Sequence, residues 1–333
     1  MSQAPSEFHG HLIYQACKTH GGQTGEMLED LVSSRPFTED ERPNRPQDGF
    51  EKLSFTSGDQ FHEQRAMRVQ QQLTGVRFRE EQLGEEVEVY DSETDQRITG
   101  QPISEDTGDL LTTSSETLMI RSSKSTYQRI FDVIQAEEPA GGRLSQLSFD
   151  PDFMLWLFWQ YCSGDSLSDL NPLSLTGAEF EGERSPFGRK AQVSDTTDIF
   201  SSTPVLLGLL SGQHFHSISG KFEYRGEFID MNISREGRVH VKTTGQLAQL
   251  PRAERVLLAS DAVNKTIKTY TQWVNRPPSS KYPPAEFFGS MLERLSDHGV
   301  EVRFSTDGVF RTYAERRGEN FEEYTESVRD LYE

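Results

Sequence analysis

The sequence predicts an α+β fold: two mixed domains of hairpin-rich sheets with packed helices. Three observations predict it. Strand-like and helical periods are interspersed, the clearest strand pairing is a hairpin, and 333 residues exceed the length at which single cores usually stop growing. The expected join lies near residue 140, in the Glu-Glu-Pro-Ala-Gly-Gly stretch of 137–142, giving domains of 1–140 and 141–333.

In the first domain, residues 24–32 place Met27, Leu28, Leu31 and Val32 at helical spacing behind Thr24, a cap residue. Residues 33–59 hold three prolines and little periodicity, which predicts a mobile segment pinned by Phe50, Leu53 and Phe55. Residues 60–75 read as a helix stopped by Gly75. Strands are expected at 76–79, 87–90 and 118–121, separated by acidic turn clusters. A Ser-rich turn at 122–126 then leads into a helix with Tyr127, Ile130, Phe131 and Ile134 on one face.

The second domain opens on Asp150, Pro151 and Asp152, a cap, a first helical proline and a first-turn acid. The helix they start, near 151–162, is apolar on every side, so it should be buried at the domain's centre. Residues 177–198 read as a polar, glycine-containing loop insertion. In 227–244, a three-residue Arg235-Glu236-Gly237 loop would pair Ile233 with Val239 and Met231 with Val241, all on one face. The other face would pair Asn232 with His240 and Asp230 with Lys242, a complementary charge pair. Residues 252–275 and 285–299 read as helices, 300–314 as a hairpin turning at Asp307-Gly308, and 320–333 as an acidic helix.

A formal charge of −19 repels phosphate backbones and anionic membranes, so nucleic acid is not an expected partner and protein is. The bias to 25 Arg over 9 Lys beside abundant acid suits a high-salt, halophile-like interior. Two distant cysteines, Cys17 and Cys162, make no disulfide framework, and reduced thiols fit a cytoplasmic location. The amino terminus lacks the pattern of a secretory signal, and the most apolar run, 153–161, is far shorter than the ~20 residues of a membrane span.

Four clusters could carry chemistry. In residues 7–20, an extended first part puts His9 and His11 on one side, and a helical second part puts Cys17 and His20 one turn apart; together they could hold zinc. The competing reading buries Cys17 as a small hydrophobe and leaves the imidazoles in water. His214 and His216 could join His240 as a three-imidazole set if their strand neighbours the hairpin, although alternation around Phe215 is also what a half-buried strand shows. On the hairpin, Asp230, His240 and Lys242 outline the acid-and-lysine arrangement of metal-dependent nucleases of the PD-(D/E)xK kind. His240 stands where those enzymes carry a carboxylate, so Glu223 or Glu227 would have to supply a ligand. Ser123, Lys124 and Ser125 precede a helix, where free N–H groups favour an anion, but a serine cap explains them equally well. The order helix, turn, hairpin in 285–313 matches a recognition helix and wing, yet Glu286, Glu293 and Asp297 face Arg294 alone and oppose DNA.

Catalytic groups are scattered and polar insertions offer partner surfaces, so the expected function is a non-enzymatic regulatory or adaptor role. The alternative is a metal-dependent, nuclease-like hydrolase on the 227–244 hairpin, whose cofactor would be a divalent metal.

Overall fold

The computed structural model describes residues 11–20, 24–38, 47–53, 64–91, 96–114, 116–137, 144–164, 170–182, 190–194, 196, 198–224 and 226–332. Helices are interspersed with strands that pair antiparallel, an α+β composition. Two compact units form: Met1–Leu147 with Pro251–Asp261, and Ser148–Leu250 with Ala262–Glu333.

The first unit contains β1 (Ile13–Thr19), β2 (Asp48–Lys52), β3 (Thr74–Leu83), β4 (Val87–Asp91), β5 (Gln96–Gly100), β6 (Ile103–Thr112), β7 (Thr117–Arg121) and β8 (Leu144–Gln146). β1 pairs with β7 and, near its end, with β8; β6, β3 and β2 follow β7, while β4 and β5 form a separate ribbon. Strand alternation sorts side chains to two faces. On one face, Cys17, Phe50, Val76, Phe78, Leu110, Leu118 and Ile120 form a core with the apolar sides of helices Thr24–Ser34 and Lys124–Glu137. Gly108 lies on this face, and a Cβ there would come within 2.5 Å of Ile130 Cδ1, so glycine permits the helix to sit this close.

The other face carries a polar row across five strands. Glu51 lies opposite Arg77, Arg77 opposite Asp109, Asp109 opposite Arg121, and Arg121 opposite Tyr14. Asp109 is fully buried and accepts from Arg77 Nε and Arg121 Nε, each at 2.8 Å. Tyr14 donates its hydroxyl to the Val256 carbonyl at 3.2 Å, which ties residues 251–261 to this sheet.

The second unit contains β9 (Asn171–Glu181), β10 (Lys190–Val193), β11 (His214–Tyr224), β12 (Glu227–Ser234) and β13 (Arg238–Val241), ordered β10, β9, β11, β12, β13. Helix Pro151–Ser163 packs on β9 and β11. Asp150 caps it by accepting from the Asp152 N–H at 2.9 Å, and Gly164, at φ 68°, closes it in the left-handed conformation. Residues 153–158 are all buried, as an apolar circumference requires. The hairpin register is Met231 with Val241, Asn232 with His240 and Ile233 with Val239, and Gly237 takes φ 75° in the turn.

Several elements depart from the sequence expectation. Residues 14–20 are not helical, since Ile13–Thr19 is a strand; a short apolar run does not reveal its period. The helix within 60–75 is described over Gln64–Gln72, and Gly75 belongs to the next strand. Within 33–59, Asp48–Lys52 is a paired strand, whereas 39–46 and 54–59 lie outside the described residues. The 177–198 stretch holds the end of β9 and all of β10, paired to each other. Residues 307–317 form a helix, not a hairpin arm: Val309, Phe310, Tyr313 and Ala314 recur at helical spacing and are buried, and one glycine in a first turn costs only about 1 kcal/mol.

Candidate functional site

The hairpin face is built as follows. Alternation along β12 turns Ile229, Met231 and Ile233 into the core and leaves Asp230 and Asn232 on the other side. Register sets Lys221 of β11 opposite Asp230, and the Lys242 N–H donates to the Asp230 carbonyl at 2.8 Å. Asp230, His240 and Lys242 therefore share one face. The charge pair does not form: among the described residues Lys242 makes no ion pair, and the Asp230 carboxylate accepts the Thr244 hydroxyl instead. An exposed ammonium loses little by staying in water. Asn232 Nδ2 donates to Ser219 Oγ at 2.8 Å, which fills the middle of the face with a local polar bond. Among the described residues no three His, Cys, Asp or Glu side chains converge as metal ligands. Asp230→Asn is expected to change stability by less than ~1 kcal/mol, measured by urea titration of tryptophan emission.

The histidine clusters come apart. His9 lies outside the described residues. Cys17 points to the helix-covered core and is fully buried, and burial pushes its thiol up to about 12. His20 bonds Ser145 Oγ at 3.0 Å, and His11 is exposed. The strand conformation removes the one-turn spacing of Cys17 and His20 on which the zinc geometry depended. β11, which carries His214 and His216, does neighbour the hairpin through β12, and β12 stands between it and His240 on β13. His216 Nδ1 lies 3.4 Å from Glu181 Oε2.

Ser123 caps helix Lys124–Glu137: its Oγ accepts the Thr126 N–H at 3.1 Å and lies 2.9 Å from Ser125 Oγ. Lys124 is exposed beside it. The arrangement satisfies the helix end with its own hydroxyls.

Two features were not singled out from sequence. The first is the ribbon of β4 and β5 with the neighbouring ends of β3 and β6. Five of the ten large apolar side chains exposed among the described residues lie here: Leu83, Val87, Val89, Tyr90 and Ile103. Leu83 lies opposite Ile103, and Val87 and Val89 share one face of β4. Residues 80–106 also hold ten Asp or Glu against one Arg. The signal was present in the strand run at 87–90, but alternation does not say whether a partner covers it.

The second feature is a solvent-open cavity of about 110 Å³ on the second unit, with His214 and Arg316 in its lining. Arg316 Nη1 bonds the buried carboxylate of Asp152, whose other oxygen accepts the Tyr313 hydroxyl at 2.8 Å. Partial desolvation at the pocket rim, with Arg316 and Arg235, holds His214 below the ordinary imidazole range against the pull of Asp152 and Asp150. As pH falls through about 6.5, the unfolded imidazole takes up a proton before the folded one, so stability should decline down to the folded pKa. His214→Gln should flatten that part of a pH–stability curve measured by urea denaturation.

Fold and surface together define an acidic α+β protein with exposed apolar side chains on a two-stranded ribbon and a small solvent-open pocket. No family model matches the chain, and no curated protein matches it.

Proposed function

We propose that the protein is a non-enzymatic cytoplasmic adaptor that docks another protein through the β4–β5 ribbon. Val87, Val89 and Tyr90, exposed on the β4–β5 ribbon, and Leu83 and Ile103, exposed on the neighbouring ends of β3 and β6, carry this reading. A two-stranded ribbon is marginal alone, and an exposed apolar cluster is characteristic of an interaction surface. The acid around it repels phosphate and anionic lipid and disfavours a second copy presenting the same charge. The complementary partner is a protein surface with an apolar centre and a Lys/Arg rim. No helix among the described residues is long and apolar enough to cross a membrane, which is compatible with this reading.

A photoreactive residue placed at Val89 tests it, with the same residue at exposed Glu323 as control. The expected product is a discrete protein adduct specific to position 89, joined to a basic and apolar segment and weakened by added salt. Adducts no different from the control, or adducts with nucleic acid or lipid, would refute the reading. A second reading is a metal-dependent hydrolase on the Asp230, His240 and Lys242 face, favoured only by their shared register. Divalent-metal-dependent cleavage of nucleic acid that disappears in Asp230→Asn would support it over the adaptor.

A further inference from the structure

The second unit's cavity has an apolar body and a polar rim. Leu155, Leu209, Phe288 and Val309 form walls, while His214 and Arg316 supply polar groups. At about 110 Å³ it is somewhat smaller than the ~150 Å³ engineered apolar cavity, in another protein, that takes benzene. The pocket opens to solvent at Gly212, His214 and Gly308, so an apolar occupant would displace water from the walls and gain by burying their apolar surface.

The rim restricts what the occupant can carry. Arg316 commits Nη1 to Asp152, with the Tyr313 hydroxyl 3.4 Å from the same nitrogen. Among the described residues its Nε and Nη2 make no hydrogen bond, and neither does the His214 ring. A guanidinium has five N–H donors, and a neutral imidazole offers one donor and one acceptor. Asp152 balances the charge of Arg316, with Asp150 and Arg235 as the further charged neighbours of His214. A carboxylate ligand would gain little from an Arg316 already neutralised by Asp152, and an ammonium ligand would meet the guanidinium of Arg316 in the lining. A hydroxyl meets neither obstacle, because it can donate to the imidazole and accept from the guanidinium.

We propose that this cavity binds a small neutral amphiphile, a phenol-sized aromatic or branched alcohol, with its body among Leu155, Leu209, Phe288 and Val309 and its hydroxyl between His214 and Arg316. This is independent of the ribbon and of any partner docked there.

Phenol, benzoate, benzylamine and toluene, each titrated into the full chain with calorimetric and imidazole NMR readouts, test the assignment. Phenol should bind at least tenfold more tightly than benzoate or benzylamine and shift the His214 ring signals. Leu209→Phe, which fills the space, should abolish binding. Should that variant not fold, His214→Leu at the exposed rim should weaken phenol about tenfold and leave toluene unchanged. Absence of phenol binding to the native chain, or binding indifferent to either folded variant, would overturn the site. Benzoate or benzylamine binding as tightly as phenol would overturn the neutral class.

Discussion

Replacing Asp109 with alanine is expected to destabilise the first unit by about 3–5 kcal/mol, because it strands two buried guanidinium groups without their shared anion. Asp109 is fully buried, Arg77 and Arg121 are nearly so, and both Nε atoms donate to its carboxylate at 2.8 Å. The effect belongs to broken compensation, not to the net worth of the charges. Exchanging all three residues for apolar ones of similar volume should therefore restore much of the loss. Hydrogen exchange resolved by peptide is the suitable measurement. Faster exchange in β3, β6 and β7 of Asp109→Ala is the expected result, and unchanged protection there would show that the row is not structurally required.

Phe153→Ala should cost the second unit about 3–5 kcal/mol. Phe153 is fully buried, and its ring lies 5.8 Å from Phe149, 5.9 Å from Trp156, 5.2 Å from Tyr270 and 5.7 Å from Trp273. Alanine removes the partner shared by four rings and opens a cavity that stiff aromatic walls cannot easily close. The chain's three tryptophans, Trp156, Trp159 and Trp273, all belong to this unit, so a urea titration followed by tryptophan emission reports it directly. Phe228→Ala is the control: the residue is 55% exposed, and its loss should fall within ~0.5 kcal/mol. Equal midpoints for the two variants would mean that helix Pro151–Ser163 is not the unit's packing centre.

What could be read from sequence follows the range of the physics involved. The cap at Asp150 and the Gly237 turn are set by neighbouring residues, and a period of two leaves the hairpin one register that hides Met231, Ile233, Val239 and Val241 together. Asp307-Gly308 suits both a hairpin turn and a helix start, and burial of Val309, Phe310, Tyr313 and Ala314 decides for the helix. That burial comes from other segments, so local pattern does not contain it. The cavity is the extreme case, since Leu155, Leu209, His214, Phe288 and Arg316 converge from five separate stretches with no spacing to reveal them. The helical reading of residues 14–20 differs from the structure for a related reason: pairing to β7 and β8 makes the segment extended, and pairing is a long-range fact.

The first unit is discontinuous along the chain, because Pro251–Asp261 returns to it after an excursion of more than a hundred residues. Severing the polypeptide after Leu147 would deprive Tyr14 of both the Val256 carbonyl and the Ser260 hydroxyl that now engage its phenol. The amino-terminal half is therefore not a transplantable module, and its completion during synthesis must wait until the ribosome has made most of the remainder.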